Sequence, residues 1–203
     1  EMKKKKICLV ILVLVLLYSI GGIYYNITHR DSVDNSVKSI DKIDKYGYVL
    51  KSNATNLQKE LFNELKTILN SDNINDDDYA KAISKMFVTD LYTLSNKVNK
   101  YDVGGTEYVL ESGRDNYKVN VQDTLYKYLE DNSDGKRSQI LPLVVSVSAD
   151  EISDTKYKIG DNESDAKKVS LTLSYNEDLG YDTKVTLILI KSEGKYYVVE
   201  SAS

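Results

Sequence analysis

From Ile140 onward the apolar residues recur at every second position, the spacing of a strand with one buried side. Leu143, Val145, Val147 and Ala149 alternate with Val144, Ser146 and Ser148, and Pro142, which has no N–H to give a ladder, suits the strand entry. Thr155 to Ile159 reads as a second, short strand followed by a GDNESDA turn. Val169, Leu171, Leu173 and Tyr175 then alternate with Lys168, Ser170, Thr172 and Ser174, giving one dry and one wet face. The stretch KVTLILIKSEGKYYVVES, residues 184–201, is a hairpin turning at Gly194. In its first strand Val185, Leu187 and Leu189 share one side, expected to meet helices. Thr186, Ile188 and Ile190 share the other, so both sides are largely apolar. Thr186, Ile188 and Ile190, widened by Tyr197 and Val199 on the last strand, are either the plain outcome of strand propensity or a surface for a protein partner or a second copy.

Before Ile140 the period is helical. Thr55-Asn56-Leu57-Gln58 fits a capping box, and Leu57, Leu61, Leu65, Ile68 and Leu69 then form one apolar stripe with Phe62 beside it. A second helix opens on Asp76, Asp77 and Asp78, carboxylates favoured at the positive end of a helix dipole. Its buried face is expected to carry Tyr79, Ile83, Met86, Phe87, Leu91 and Leu94. A third is expected from Asp115 to about Asp131 on Tyr117, Val121, Leu125, Tyr128 and Leu129. The glycine-punctuated segment between these two has room for a short strand, Glu107 to Glu111. Residues 26–54 read as a stalk or linker, whose loose spacing of Val33, Val37 and Ile40 fits a short helix or a tether.

Residues 1–25 stand apart. Four lysines precede Ile7 to Tyr25, a run of 19 uncharged residues. As a helix it would span about 28 Å, close to the hydrocarbon thickness of a bilayer. The expectation is a transmembrane anchor contacting the membrane through Ile7–Tyr25, with the lysines cytoplasmic and the rest of the chain outside. A cleaved signal peptide, with Ser19-Ile20-Gly21 at the cleavage site, is the alternative and yields a secreted domain. Both export residues 55–203. Cys8 lies at the start of the apolar run, which argues against a lipoprotein, and as the one cysteine it permits no intrachain disulfide.

Charge narrows the partners. Setting aside Glu1 and Lys3 to Lys6, residues 26–203 hold 23 basic and 30 acidic residues, a net of −7. Duplex phosphates are bound by clustered Lys and Arg, so no nucleic-acid partner is expected. The excess of Lys over Arg, the many Asn, Ile and Tyr residues and the single Pro suit an AT-rich bacterial genome.

Helices followed by an antiparallel meander give an α+β class: an N-terminal transmembrane helix, then helices packed on a curled antiparallel sheet. That order of elements, over roughly residues 55–202, resembles the nuclear-transport-factor-two-like (cystatin-like) cone fold. A transmembrane segment followed by such a cone is also similar in plan to the bitopic assembly proteins of conjugation and type IV secretion machinery in Gram-positive bacteria. The resemblance implies a membrane-anchored, extracytoplasmic, non-enzymatic interaction module within an envelope or conjugation complex. The alternative it leaves is a small-molecule-binding or isomerase-like pocket. Enzymes of the cone fold pair a carboxylate base with Tyr or Asp donors, and Tyr117, Tyr128 and Tyr157 are the tyrosines expected to face such a pocket.

The residues themselves offer little catalytic chemistry. His29 is the one histidine and lies just past the apolar run, so no Ser-His-Asp or Cys-His set and no ordinary zinc site can be drawn in the exported domain. Glu130 to Gly135 opens like a calcium loop, but its twelfth place is Leu141 instead of a bidentate Glu. A polar turn is the expectation there, and Asp76 to Asp78 are expected to be helix-start charges. No catalytic residue, cofactor or metal is expected. The sequons at Asn26, Asn53 and Asn162 are no more than chance supplies in an Asn-rich chain.

Overall fold

The computed structural model describes residues 38–202. Their elements, in chain order, are β1 (Ser39–Ile43), β2 (Tyr48–Lys51), α1 (Asn56–Leu69), α2 (Asp76–Tyr92), two 3-10 turns (Thr106–Tyr108 and Glu111–Gly113), α3 (Arg114–Asp123), β3 (Val144–Ile159), β4 (Asn162–Tyr175), β5 (Lys184–Ser192) and β6 (Lys195–Ala202).

The fold class is α+β, but the expected arrangement needs correcting. Three helices accompany two antiparallel sheets, a β1-β2 hairpin and a four-stranded meander β3-β4-β5-β6, instead of one curled sheet. The expected transmembrane helix is not among these elements: no helix of the described residues is long and apolar enough to cross a membrane. The run Ile7–Tyr25 lies outside the described residues, as do Cys8, His29 and the first part of the expected stalk. The rest of that stalk is neither helix nor tether. Ser39 to Lys51 pair as a hairpin in the same compact unit as the helices and the large sheet. Its alternation is legible only afterwards: Ile43, Tyr48 and Leu50 are buried, while the lysines and aspartates between them are not.

Both long helices begin where side chains can satisfy orphaned backbone donors. The Thr55 hydroxyl accepts from the Gln58 N–H and the Gln58 side chain accepts from the Thr55 N–H, so the capping box is complete. Asn75 caps α2 by accepting from the Asp77 and Asp78 N–H groups. The α1 helix buries Leu61, Phe62, Leu65 and Leu69. Each such side chain contributes on the order of 1.5–3 kcal/mol relative to exposure. The α2 helix is buried nearly all round because it lies between α1 and the sheet. The sheet's inner face supplies Val169, Leu171, Leu173, Val185, Leu187 and Leu189 to the same core.

Three elements depart from the apolar pattern for identifiable reasons. The α3 helix ends at Asp123, and the chain then turns with the Tyr126 N–H on the Val121 carbonyl. The phase changes there, so Tyr126 is fully buried while Tyr128 is 79% exposed. The strand expected at Glu107–Glu111 is instead a pair of 3-10 turns, with Val109 alone bridging in parallel to Val198. Finally, β3 runs unbroken through both expected strands. Irregularities at Val144/Ser146 and Ala149/Glu151 shift its inward phase, which hides the continuity from a period-two reading. Those bulges, with Asp150, Glu151 and Asp154, also blunt β3 as a free edge.

Candidate functional site

Tyrosines fasten the β1-β2 hairpin to the body. The Tyr48 and Tyr79 hydroxyls are hydrogen-bonded at 2.9 Å, and the Tyr48 ring stacks at 5.6 Å on Tyr108. Tyr79 meets Tyr196 edge-on at 5.3 Å. Lys195 lies 4.5 Å from the Tyr48 ring centre and donates to the Tyr46 carbonyl at 2.8 Å. Burial pushes the Tyr48 hydroxyl well up and the Tyr79 hydroxyl up to about 12, so both are neutral hydrogen-bonding groups.

Beside this cluster sits a buried polar network centred on Asp90, in the last turns of α2. One carboxylate oxygen accepts from Lys97 Nζ at 2.5 Å and Gln58 Nε2 at 3.0 Å, and the other accepts from the Gly105 N–H at 2.7 Å. Lys97 is 2% exposed. Burial alone would push the Asp90 carboxyl up, but Lys97, Lys51 and the Gly105 N–H together hold it below the ordinary value. The opposite balance governs half-buried Glu107. Burial is its largest influence and Asp90 adds repulsion, so its carboxyl lies above the ordinary value despite a hydrogen bond from the Tyr108 hydroxyl, the Val49 N–H at 3.3 Å and nearby Lys51. Close approach of the 104–105 loop makes the network possible. A Cβ on Gly104 would lie 2.1 Å from the Asp90 carbonyl oxygen, and Gly105 has φ +73°.

Two spaces adjoin these residues. A chamber of about 30 Å³, lined among others by Asn96, Glu107 and Tyr108, has room for water and not for an organic substrate. A carboxylate and a tyrosine hydroxyl, the pair expected of an isomerase-like pocket, do meet here, but without space for a substrate. The second space is a cleft of about 300 Å³ at the β6 edge. Its walls are Val109, Leu110 and Tyr117 on one side, Val198 and Val199 of β6 on another, and Tyr157 and Ile159 from the tip of the β3-β4 hairpin. Val199 is the extra residue of a bulge between β5 and β6, and Tyr157 donates to its carbonyl at 3.3 Å. Tyr117 is fixed by donating to the Gly104 carbonyl at 2.7 Å. Ile159 is 46% exposed, a large apolar side chain left at the cleft mouth.

The expected pocket residues therefore divide. Tyr117 and Tyr157 line the cleft, whereas Tyr128 is on the exposed surface and lines neither space. The expected partner surface also divides. Ile190 is 6% exposed and Ala166, its strand partner, 5%, so this end of the outer face is covered by the chain itself. By register Thr155 and Tyr157 share that face, and the hairpin tip reaches across to β6 through the Tyr157 hydroxyl. Thr186, Ile188 and Tyr197 are half-buried, and Val199 belongs to the cleft. The Asp90 network, Glu107 and Ile159 were not singled out from sequence, because isolated charges and one isoleucine at a hairpin tip carry no spacing signal.

The acidic stretches hold structural contacts. Asp131 accepts from Asn99 and the Ser133 N–H, Asp134 accepts from the Lys136 N–H, and Asp76 and Asp77 pair with Lys191 and Lys167. Among the described residues no group of three His, Cys, Asp or Glu side chains is placed to hold a metal ion. Comparison with known proteins found no matching family model, no matching curated protein and no matching solved structure.

Proposed function

We propose that this chain is an exported, non-enzymatic interaction module whose β6-edge cleft receives an apolar side chain or short segment of a protein partner or of a second copy. The observation that carries this reading is the contrast between the two spaces. The chamber beside Glu107, about 30 Å³, admits only water, while among the described residues a mainly apolar recess of about 300 Å³ opens at the surface beside exposed Ile159. An apolar recess with a polar rim, here Ser112, Glu200 and Ser201, is the usual form of a protein docking site. Export is supported by the lysine-led apolar N-terminal run, and the net acidity of residues 26–203 disfavours nucleic acid.

The cleft volume also lies at the lower end of the range for small-molecule pockets, which favours a bound apolar metabolite as the second reading. Ile159→Lys separates the readings from a scaffold role elsewhere on the surface, since it places a charge at the cleft mouth without touching the core. Crosslinked complexes of the full-length protein in cells should be lost in this variant while its circular dichroism is unchanged. An unaltered pattern of complexes would exclude the cleft as the docking site. Native mass spectrometry of purified protein carrying a stoichiometric small molecule would select the second reading.

A further inference from the structure

The β6-edge cleft has a charge pattern as well as a shape. Of the residues that line it, Glu200 alone carries a formal charge, and it stands exposed at the rim. Among the described residues Glu200 forms no ion pair. The cations around the mouth are turned to other groups. Arg114 donates to the Val109 carbonyl at 3.3 Å, Lys156 pairs with Asp165 at 2.5 Å, and Lys158 sits opposite Glu163 in the β3-β4 register. Because β6 is the last strand of its sheet, its outer edge is open to another backbone. The chain itself uses that edge at one point, Val109 bridging in parallel to Val198, and then leaves it at the Glu111–Gly113 turn.

We propose that the segment received by this cleft is basic as well as apolar: a leucine-sized side chain of a partner protein fills the recess while a lysine or arginine beside it pairs with Glu200. This rests on the docking reading of the cleft and adds the chemistry of the partner. A carboxylate at the rim of an apolar recess selects by attraction and by rejection, since an acidic neighbour would set two like charges together. The charge balance of the chain points to a different protein and not to a second copy. Residues 26–203 hold 23 basic and 30 acidic residues, so two copies repel each other whereas a basic partner is drawn in. Glu200 is exposed, which sets the size of the preference at about twofold to fivefold, weakening with salt.

Three labelled hexapeptides titrated against the purified full-length protein test this by fluorescence anisotropy. The parent is Thr-Ser-Leu-Lys-Ser-Thr; one variant carries Glu in place of Lys and the other Ala in place of Leu. The parent should bind more tightly than either variant, by about twofold to fivefold over the Glu peptide at low salt. Glu200→Gln should abolish that difference and Glu200→Lys should reverse it, with circular dichroism unchanged. Equal binding of the parent and Glu peptides, lost together in Ile159→Lys, would leave the cleft a docking site and overturn its preference for a cation. Binding of no peptide would also overturn the inference, while crosslinking of Ile159→Lys in cells judges the cleft itself. A wild type that self-associates in sedimentation and is monomeric as Ile159→Lys would make the occupant a second copy and equally overturn it.

Discussion

Lys97→Met is the most informative single perturbation of this fold. The Lys97 ammonium is 2% exposed and lies 2.5 Å from Asp90, so truncating it leaves a largely buried carboxylate with the Gln58 amide, the Gly105 N–H and the more distant charge of Lys51. Breaking a buried pair from one side costs about 3–5 kcal/mol, because the remaining charge keeps its desolvation penalty. In a domain of this size that is a fall in melting temperature of roughly 10 °C. Urea denaturation followed by circular dichroism reads it as a lower midpoint at unchanged slope. The companion variant, Asp90→Asn with Lys97→Met, removes both charges while an amide oxygen still accepts from Gly105. It should recover more than about half of the loss. The pH dependence has a definite sign. Asp90's carboxyl lies below its ordinary value, so its contribution is present above the unfolded pKa near ~3.9 and is lost as pH falls through the folded value. In Lys97→Met the carboxylate becomes a burden, and acidification should then relieve it. A single-variant cost under ~1 kcal/mol, the range of an exposed pair, would refute the reasoning.

Further outcomes follow from the same geometry. Gly104→Ala drives a Cβ against the Asp90 carbonyl oxygen, backbone that cannot yield cheaply, and should cost about 3 kcal/mol in the same urea assay. Tyr48→Phe or Tyr79→Phe strands the other buried hydroxyl and should cost ~1–3 kcal/mol, whereas the double variant should cost less than the two singles summed. Glu107 faces Asp90, Lys51, Lys195, Tyr48 and Tyr108, and its carboxyl lies above the ordinary value. The native state therefore holds the extra proton, and stability falls as pH rises from the unfolded carboxyl value through the folded one. Glu107→Gln should flatten the urea-midpoint profile across that window, and an unchanged profile would show that Glu107 does not govern it.

Much of the fold was legible because its signals are local and periodic. The Thr55 capping box, the Leu61, Leu65 and Leu69 stripe and the alternation along β4 each repeat within a few residues, and each is present as read. What escaped reading depends on contacts distant in sequence. Tyr48 makes a strand of the supposed stalk by packing on Tyr79 and Tyr108. Two bulges disguise β3 as two strands, and the early end of α3 turns Tyr126 inward in place of Tyr128. The cleft was half legible: Tyr117, Tyr157 and Val199 were named for two different sites, and only the curl of the β3-β4 tip brings them together. Ile190 looked exposed, yet it is buried between its strand partners Ala166, far away along the chain, and Tyr197.

The central claim is that binding happens at the outer cleft and not in the interior. A photo-crosslinking amino acid placed in turn at positions 159, 199 and 128 of the full-length protein, activated in living cells, addresses it most directly. The account predicts a discrete adduct from positions 159 and 199 and none from 128. Equal labelling from all three positions, or adducts from 128 alone, would contradict it.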